Sequence, residues 1–156
     1  MSDRWDQHFL QLALQHARMS KDPSTKCGAL IVGPDREIRS TGFNGFPRGI
    51  ADTPERLNDQ ERKLRLMVHG EMNAVLNAAR IGVSVRGCSM YLALCDELEI
   101  WSGPPCTRCA VEIIQSGITE IIGWPPRASY SKWHVDTAYA RELLRESGVV
   151  FREVAK

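Results

Sequence analysis

The chain has 156 residues, with 20 Lys and Arg against 19 Asp and Glu, a net charge of +1 and 43% hydrophobic residues. That length is enough to bury a real core, and residues 1–156 read as one domain with no linker, repeat or low-complexity stretch. The near-neutral balance supplies no overall field for a polyanion, so nucleic acid is not expected as the main partner. No apolar run approaches a membrane span, and the charged start MSDRWDQHFLQ has no secretory core. The cysteines number 5, an odd count, which points to a reducing, cytoplasmic setting.

In chain order, Trp5, Phe9, Leu12, Ala13, His16 and Met19 recur at helical spacing and predict an amphipathic helix over 4–19. The run from Cys27 to Val32 is continuously apolar, as a buried strand is. After the turn Gly33-Pro34-Asp35-Arg36, residues 37–42 return as a second strand. Residues 43–54 are rich in Gly, Pro and Asn and long for a connection, hence a candidate functional loop. Residues 55–66 are highly charged and read as a partly helical, solvated segment. A helix opening at His69 carries Met72, Val75, Leu76 and Ala79 on its apolar face. Residues 89–94 predict a third, buried strand. The next helix, 106–116, turns Ala110, Val111, Ile113 and Ile114 inward and ends at Gly117. A strand over 120–124, a helix over 137–147 and a strand over 148–152 complete the order. The implied fold is an α/β three-layer α/β/α sandwich around a five-stranded mixed sheet. Cys27, Cys88 and Cys95 sit in apolar surroundings and read as small buried hydrophobes.

The chemistry concentrates in His69-Gly70-Glu71 and Pro105-Cys106-Thr107-Arg108-Cys109. Zinc favours four tetrahedral N and S ligands, and a catalytic zinc leaves one position to water. His69, Cys106 and Cys109 supply three ligands. Zinc brings the pKa of a bound water toward neutrality, and Glu71 is placed to relay its proton. H-x-E…P-C-x-x-C is the signature of zinc-dependent nucleobase deaminases. A structural zinc site would need a fourth Cys or His beside either cluster, and neither has one. A redox C-x-x-C would not need the carboxylate. Each cluster begins a predicted helix, so two helix N-termini face one metal and favour thiolate.

Further blocks share this order: Ser20-Lys-Asp-Pro-Ser-Thr-Lys-Cys-Gly-Ala-Leu-Ile-Val32, Gly42-Phe-Asn-Gly-Phe-Pro-Arg-Gly49 and Gly87-Cys-Ser-Met-Tyr-Leu-Ala-Leu94. With the two metal clusters they span nearly the whole chain, which resembles deoxycytidylate (dCMP) deaminases of the cytidine deaminase superfamily. The resemblance implies zinc-dependent hydrolysis of dCMP to dUMP and ammonia. It carries His69, Cys106 and Cys109 over as ligands and Glu71 as proton shuttle. Asn44 would hold sugar or base, and Ser24, Lys26 and Arg48 would lie near the phosphate. The resemblance also implies a homo-oligomer, a hexamer in many members, with dCTP and dTTP as effectors.

The sequence departs from the family in four places. Gly70 replaces the usual Ala, and Phe43 the usual Tyr. An insertion over 95–103 precedes Pro105, and Trp133 stands where a Tyr is usual near the base. Trp101, in the insertion, is expected either at the pocket mouth or against a neighbouring subunit, the alternative being a surface loop that extends an oligomer contact. These departures leave open a modified or different nucleotide or nucleobase as substrate. A tRNA deaminase is the weaker alternative, because no basic face is evident.

Overall fold

The computed structural model describes residues 3–127 and 134–156. In chain order the elements are α1 (Asp3–Ala17), β1 (Lys26–Val32), β2 (Ile38–Phe43), α2 (Pro54–Asn58), α3 (Gln60–Leu66), α4 (Gly70–Ile81), β3 (Ser89–Cys95), β4 (Ile100–Trp101), α5 (Thr107–Ser116), β5 (Glu120–Gly123), α6 (His134–Ser147) and β6 (Val150–Glu153). The sheet runs β2-β1-β3-β5-β6. β2, β1 and β3 are antiparallel neighbours, and β3, β5 and β6 are parallel. Strands covered on both faces read as unbroken apolar runs, and β1 is buried from Cys27 to Val32.

Alternating side chains of each strand serve opposite faces. On one face Phe9, Leu10, Ala13 and Leu14 of α1 pack against Leu30, Val32, Tyr91 and Ala93. On the other, Ala74 and Ala78 of α4 and Cys109, Ala110 and Ile113 of α5 cover Ala29, Ile31, Met90 and Leu92, with Ala140 and Leu144 of α6 beside them. This is the expected α/β/α sandwich. Each fully buried aliphatic side chain contributes roughly 1.5–3 kcal/mol. Among the described residues no helix is long and apolar enough to cross a membrane.

Two glycines let helices approach the sheet closely. A Cβ on Gly28 would lie 2.1 Å from the Ala13 carbonyl oxygen, and one on Gly42 would lie 2.3 Å from the Ala74 nitrogen. The tight β2–α4 contact explains a difference from the sequence reading. The buried side of α4 is Gly70, Glu71, Ala74 and Ala78, and where the helix crosses β2 at Gly42 it presents the small residues Gly70 and Ala74. Leu76, expected on that side, is 49% exposed. Val111 of α5 likewise faces outward.

Two further segments differ. The inserted residues form β4, which pairs with Leu94 and Cys95 beyond the point where β5 stops, and so adds a strand to the expected five. The charged segment divides into two short helices capped by Thr53 and Asp59. It is not uniformly solvated, since Lys63 is buried. Finally, buried Asp6 of α1 accepts from Tyr91 Oη at 2.9 Å and Arg152 Nη1 at 2.8 Å, tying α1 to β3 and β6.

Candidate metal centre and substrate cavity

α4 and α5 begin side by side at the end of the sheet where β3 finishes and β1 starts. His69 is the N-cap of α4, and Cys106 is the N-cap of α5, its sulfur accepting from the Cys109 backbone N–H at 3.5 Å. Cys109 follows in the first turn of α5. His69 Nδ1 lies 3.4 Å from both Cys106 Sγ and Cys109 Sγ, and all the ligand atoms lie within 4.8 Å of one another. Tetrahedral zinc with N and S bonds of about 2.0–2.3 Å sets such atoms about 3.5 Å apart. The donors present therefore fit zinc in both type and spacing, with three protein ligands and an open fourth position.

The Cys109 thiol donates to Cys106 and holds Cys106 well below the usual thiol range, with His69 assisting. Cys109 is pushed up by the same hydrogen bond and by burial. His69 is raised to about 9, chiefly by Cys106. Glu71 is 5% exposed. Burial raises its pKa, and the neighbouring imidazole opposes that shift. Cys27 Sγ lies 3.4 Å from Glu71 Oε2, so this thiol does more than fill the core.

His69, Glu71 and Cys106 open onto a cavity of about 1050 Å³. Ser24 and Asn44 line it, whereas Lys26 and Arg48 are not among its lining residues. Arg48 donates instead to Asn77 Oδ1 at 2.9 Å on the exposed side of α4. Asn44 is buried and largely committed to the fold. Its Oδ1 accepts from the Cys27 N–H at 2.7 Å, and its Nδ2 donates to the Thr25 carbonyl at 2.9 Å. Trp133 lies outside the described residues. Trp101 is 1% exposed, not at the mouth, and the Arg127 guanidinium sits 4.8 Å from its ring centroid. The insertion reaches the cavity through Asp96, Ser102 and Gly103 instead.

Lys63, Asp96 and Arg127 also line the cavity, and the sequence reading did not single them out. For Lys63 a signal existed. Gln60, Lys63, Leu64 and Met67 recur at helical spacing and form one stripe on the cavity wall. The high charge of the segment masked it.

A buried carboxylate beside an open three-ligand metal set, on the wall of a cavity of about 1050 Å³, defines a metal-assisted hydrolytic centre. The chain belongs to the family of the cytidine and deoxycytidylate deaminase zinc-binding region, whose model matches residues 3–123. It is similar to the deoxycytidylate deaminase of Mus musculus, 37% identical over 96% of this chain and 79% of that one. The Homo sapiens deoxycytidylate deaminase is 36% identical over the same shares. The fold matches that of a crystallised dCMP deaminase from the cyanophage S-TIM5 in complex with dCMP and dUMP, with a TM-score of 0.74, 18% identity and 99% of each chain covered.

Proposed function

We propose that this chain is a zinc-dependent hydrolase that converts dCMP to dUMP and ammonia, its residues 1–156 forming a single deaminase domain. The observation that carries this reading is the His69–Cys106–Cys109 triangle with Glu71 buried beside it on one cavity wall. The deoxycytidylate deaminases at 36% and 37% identity direct it to dCMP.

His69, Cys106 and Cys109 would hold the zinc, which when bound acidifies water at its open position. Glu71 accepts a proton from the attacking water and passes it to N3 of the cytosine ring. It then carries a second proton to the exocyclic nitrogen. A C4–O bond forms, the C4–N bond breaks and ammonia leaves. Burial supports this role, because it raises the Glu71 pKa and so favours a carboxyl group able to hand a proton on. Ser24 and Asn44 line the cavity, which supports a contact with the sugar or phosphate, and by family resemblance Trp133, Lys26 and Arg48 would join them. Ammonia release from a panel of nucleosides and mono- and triphosphates tests the reading, and absence of turnover on dCMP by zinc-loaded protein overturns it.

One observation favours a second reading. The insertion places Asp96 on the cavity wall, with Arg127 against it at 2.6 Å. A modified cytosine nucleotide reaching this pair would then outperform dCMP in the same panel. By family resemblance the protein is also a cytoplasmic homo-oligomer, a hexamer, with dCTP and dTTP as effectors. The outward apolar side chains Phe43, Ile50 and Leu76 support a subunit contact, and light scattering with and without each triphosphate tests it.

A further inference from the structure

A nucleotide monophosphate needs an anion-recognising end to its site, and the cations expected there, Lys26 and Arg48, do not line the cavity. Among the described residues three other cations do. Arg127 is engaged by Asp96 and Glu99 and stacked on Trp101. Arg141 pairs with Glu153 at 3.0 Å and covers Phe151. Lys63 differs in kind. It is 4% exposed, and its Nζ donates to Asp22 Oδ1 at 3.0 Å and to Ser24 Oγ at 2.7 Å.

The direction of these bonds matters. An ammonium carries three protons, and among the described residues Lys63 uses two of them. Ser24 Oγ accepts from Lys63, so its own hydroxyl proton is left to donate, polarised by the cation behind it. Ser24 is itself exposed on the cavity wall. Asp22 Oδ1 holds the ammonium and also accepts from the Ser24 backbone N–H at 2.8 Å, which fixes the hydroxyl relative to the lysine. Asp22 Oδ2 lies 3.5 Å from Asn44 Nδ2, and Asn44 in turn binds the Cys27 N–H. A connected set of hydrogen bonds thus runs from the Lys63 pair to the backbone of Cys27, whose thiol touches Glu71.

We propose that Lys63 and Ser24 form the subsite for the phosphate monoester of the nucleotide, an inference that rests on the nucleotide reading above. The phosphate oxygens take the remaining Lys63 N–H and the Ser24 hydroxyl. The buried Asp22 carboxylate holds that pair in place before the ligand arrives. Charge-assisted hydrogen bonds of this sort are worth about 10- to 100-fold in affinity.

The test is binding of the product pair dUMP and deoxyuridine to zinc-loaded wild type, Lys63→Met, Lys63→Arg and Ser24→Ala by calorimetry, beside ammonia release from dCMP. Lys63→Met is expected to weaken dUMP by about 10- to 100-fold. Its deoxyuridine affinity should change far less, and Lys63→Arg should restore part of the dUMP affinity. Equal weakening of both ligands would mean that Lys63 only supports the loop, and unchanged dUMP affinity would place the phosphate elsewhere. If Lys63→Met does not fold, Ser24→Ala decides the matter, because it leaves the Lys63–Asp22 ion pair in place: retained preference for dUMP overturns the subsite. If wild type prefers dUMP yet releases no ammonia from dCMP, the deamination reading falls while the anion subsite stands.

Discussion

Glu71 and Gly70 are neighbours with opposite constraints. Glu71 must move protons from a buried position. Glu71→Gln keeps the size but cannot relay them, so turnover should drop by at least about 10²–10⁴-fold while zinc content, by metal analysis, stays near one per chain. Normal turnover in that variant would assign the protons to another group. Gly70 stands where the family resemblance implies Ala, and its surroundings favour glycine. A Cβ there would lie 2.8 Å from the Cys27 carbonyl oxygen and 2.9 Å from the Cys27 sulfur. Gly70→Ala should therefore cost about 1–3 kcal/mol by chemical denaturation. A stability gain, the usual result of Gly→Ala in a helix, would show that the thiol and carbonyl move aside freely.

At the scale of elements, the two faces of the sheet separate stability from activity. Gly28 meets the Ala13 carbonyl of α1, and Gly42 meets backbone atoms of Ala74 and Gly70 in α4. Neither contact can be relieved by a side-chain rotation, so Gly28→Ala and Gly42→Ala should each lower the melting temperature, at a cost of about 1–3 kcal/mol or more. Only Gly42→Ala displaces the helix that begins at His69 and carries Glu71. Its kcat, measured well below melting, should fall more than that of Gly28→Ala. Equal kcat losses would mean that the metal end of α4 is insulated from its packing on β2.

For the whole molecule, the metal set joins the N-termini of α4 and α5, so metal binding and folding are linked. Chelated protein should melt at a lower temperature, and readded zinc should restore it. Saturation at 1,000 times the Kd corresponds to about 4 kcal/mol. Cys109→Ala should remove that zinc response. The inserted hairpin adds an acid-side dependence. Backbone N–H groups of Glu99 and Leu98, then the Arg127 guanidinium, hold Asp96 below its ordinary 3.8. A depressed folded-state pKa means stabilisation present above the unfolded value and lost as pH falls through the folded one. The melting-temperature gap between wild type and Asp96→Asn should thus be full at pH 6 and shrink below about pH 4. A gap that stays constant to pH 2 would show that the carboxylate charge contributes nothing.

Features that depend on local pattern and on ligand chemistry were legible along the chain. The unbroken run from Cys27 to Val32 could only be a strand covered on both faces, and Gly117 marked the end of α5 at a φ of +83°. His69, Glu71, Cys106 and Cys109 were legible because zinc chemistry demands those residue types at those spacings. Tertiary structure alone decided what depends on close approach between distant segments. Small residues of α4 face the sheet, and Leu76 does not, because β2 comes too near for a large side chain. Lys63 is buried although its neighbours are solvated, because Asp22, 41 positions away in the chain, offers it a carboxylate. Trp101 turns inward because β4 pairs with β3, a contact that no period in the inserted residues announces. Hydrophobic period and metal valence are written along one chain, whereas ion pairs and packing distances exist only once two segments meet.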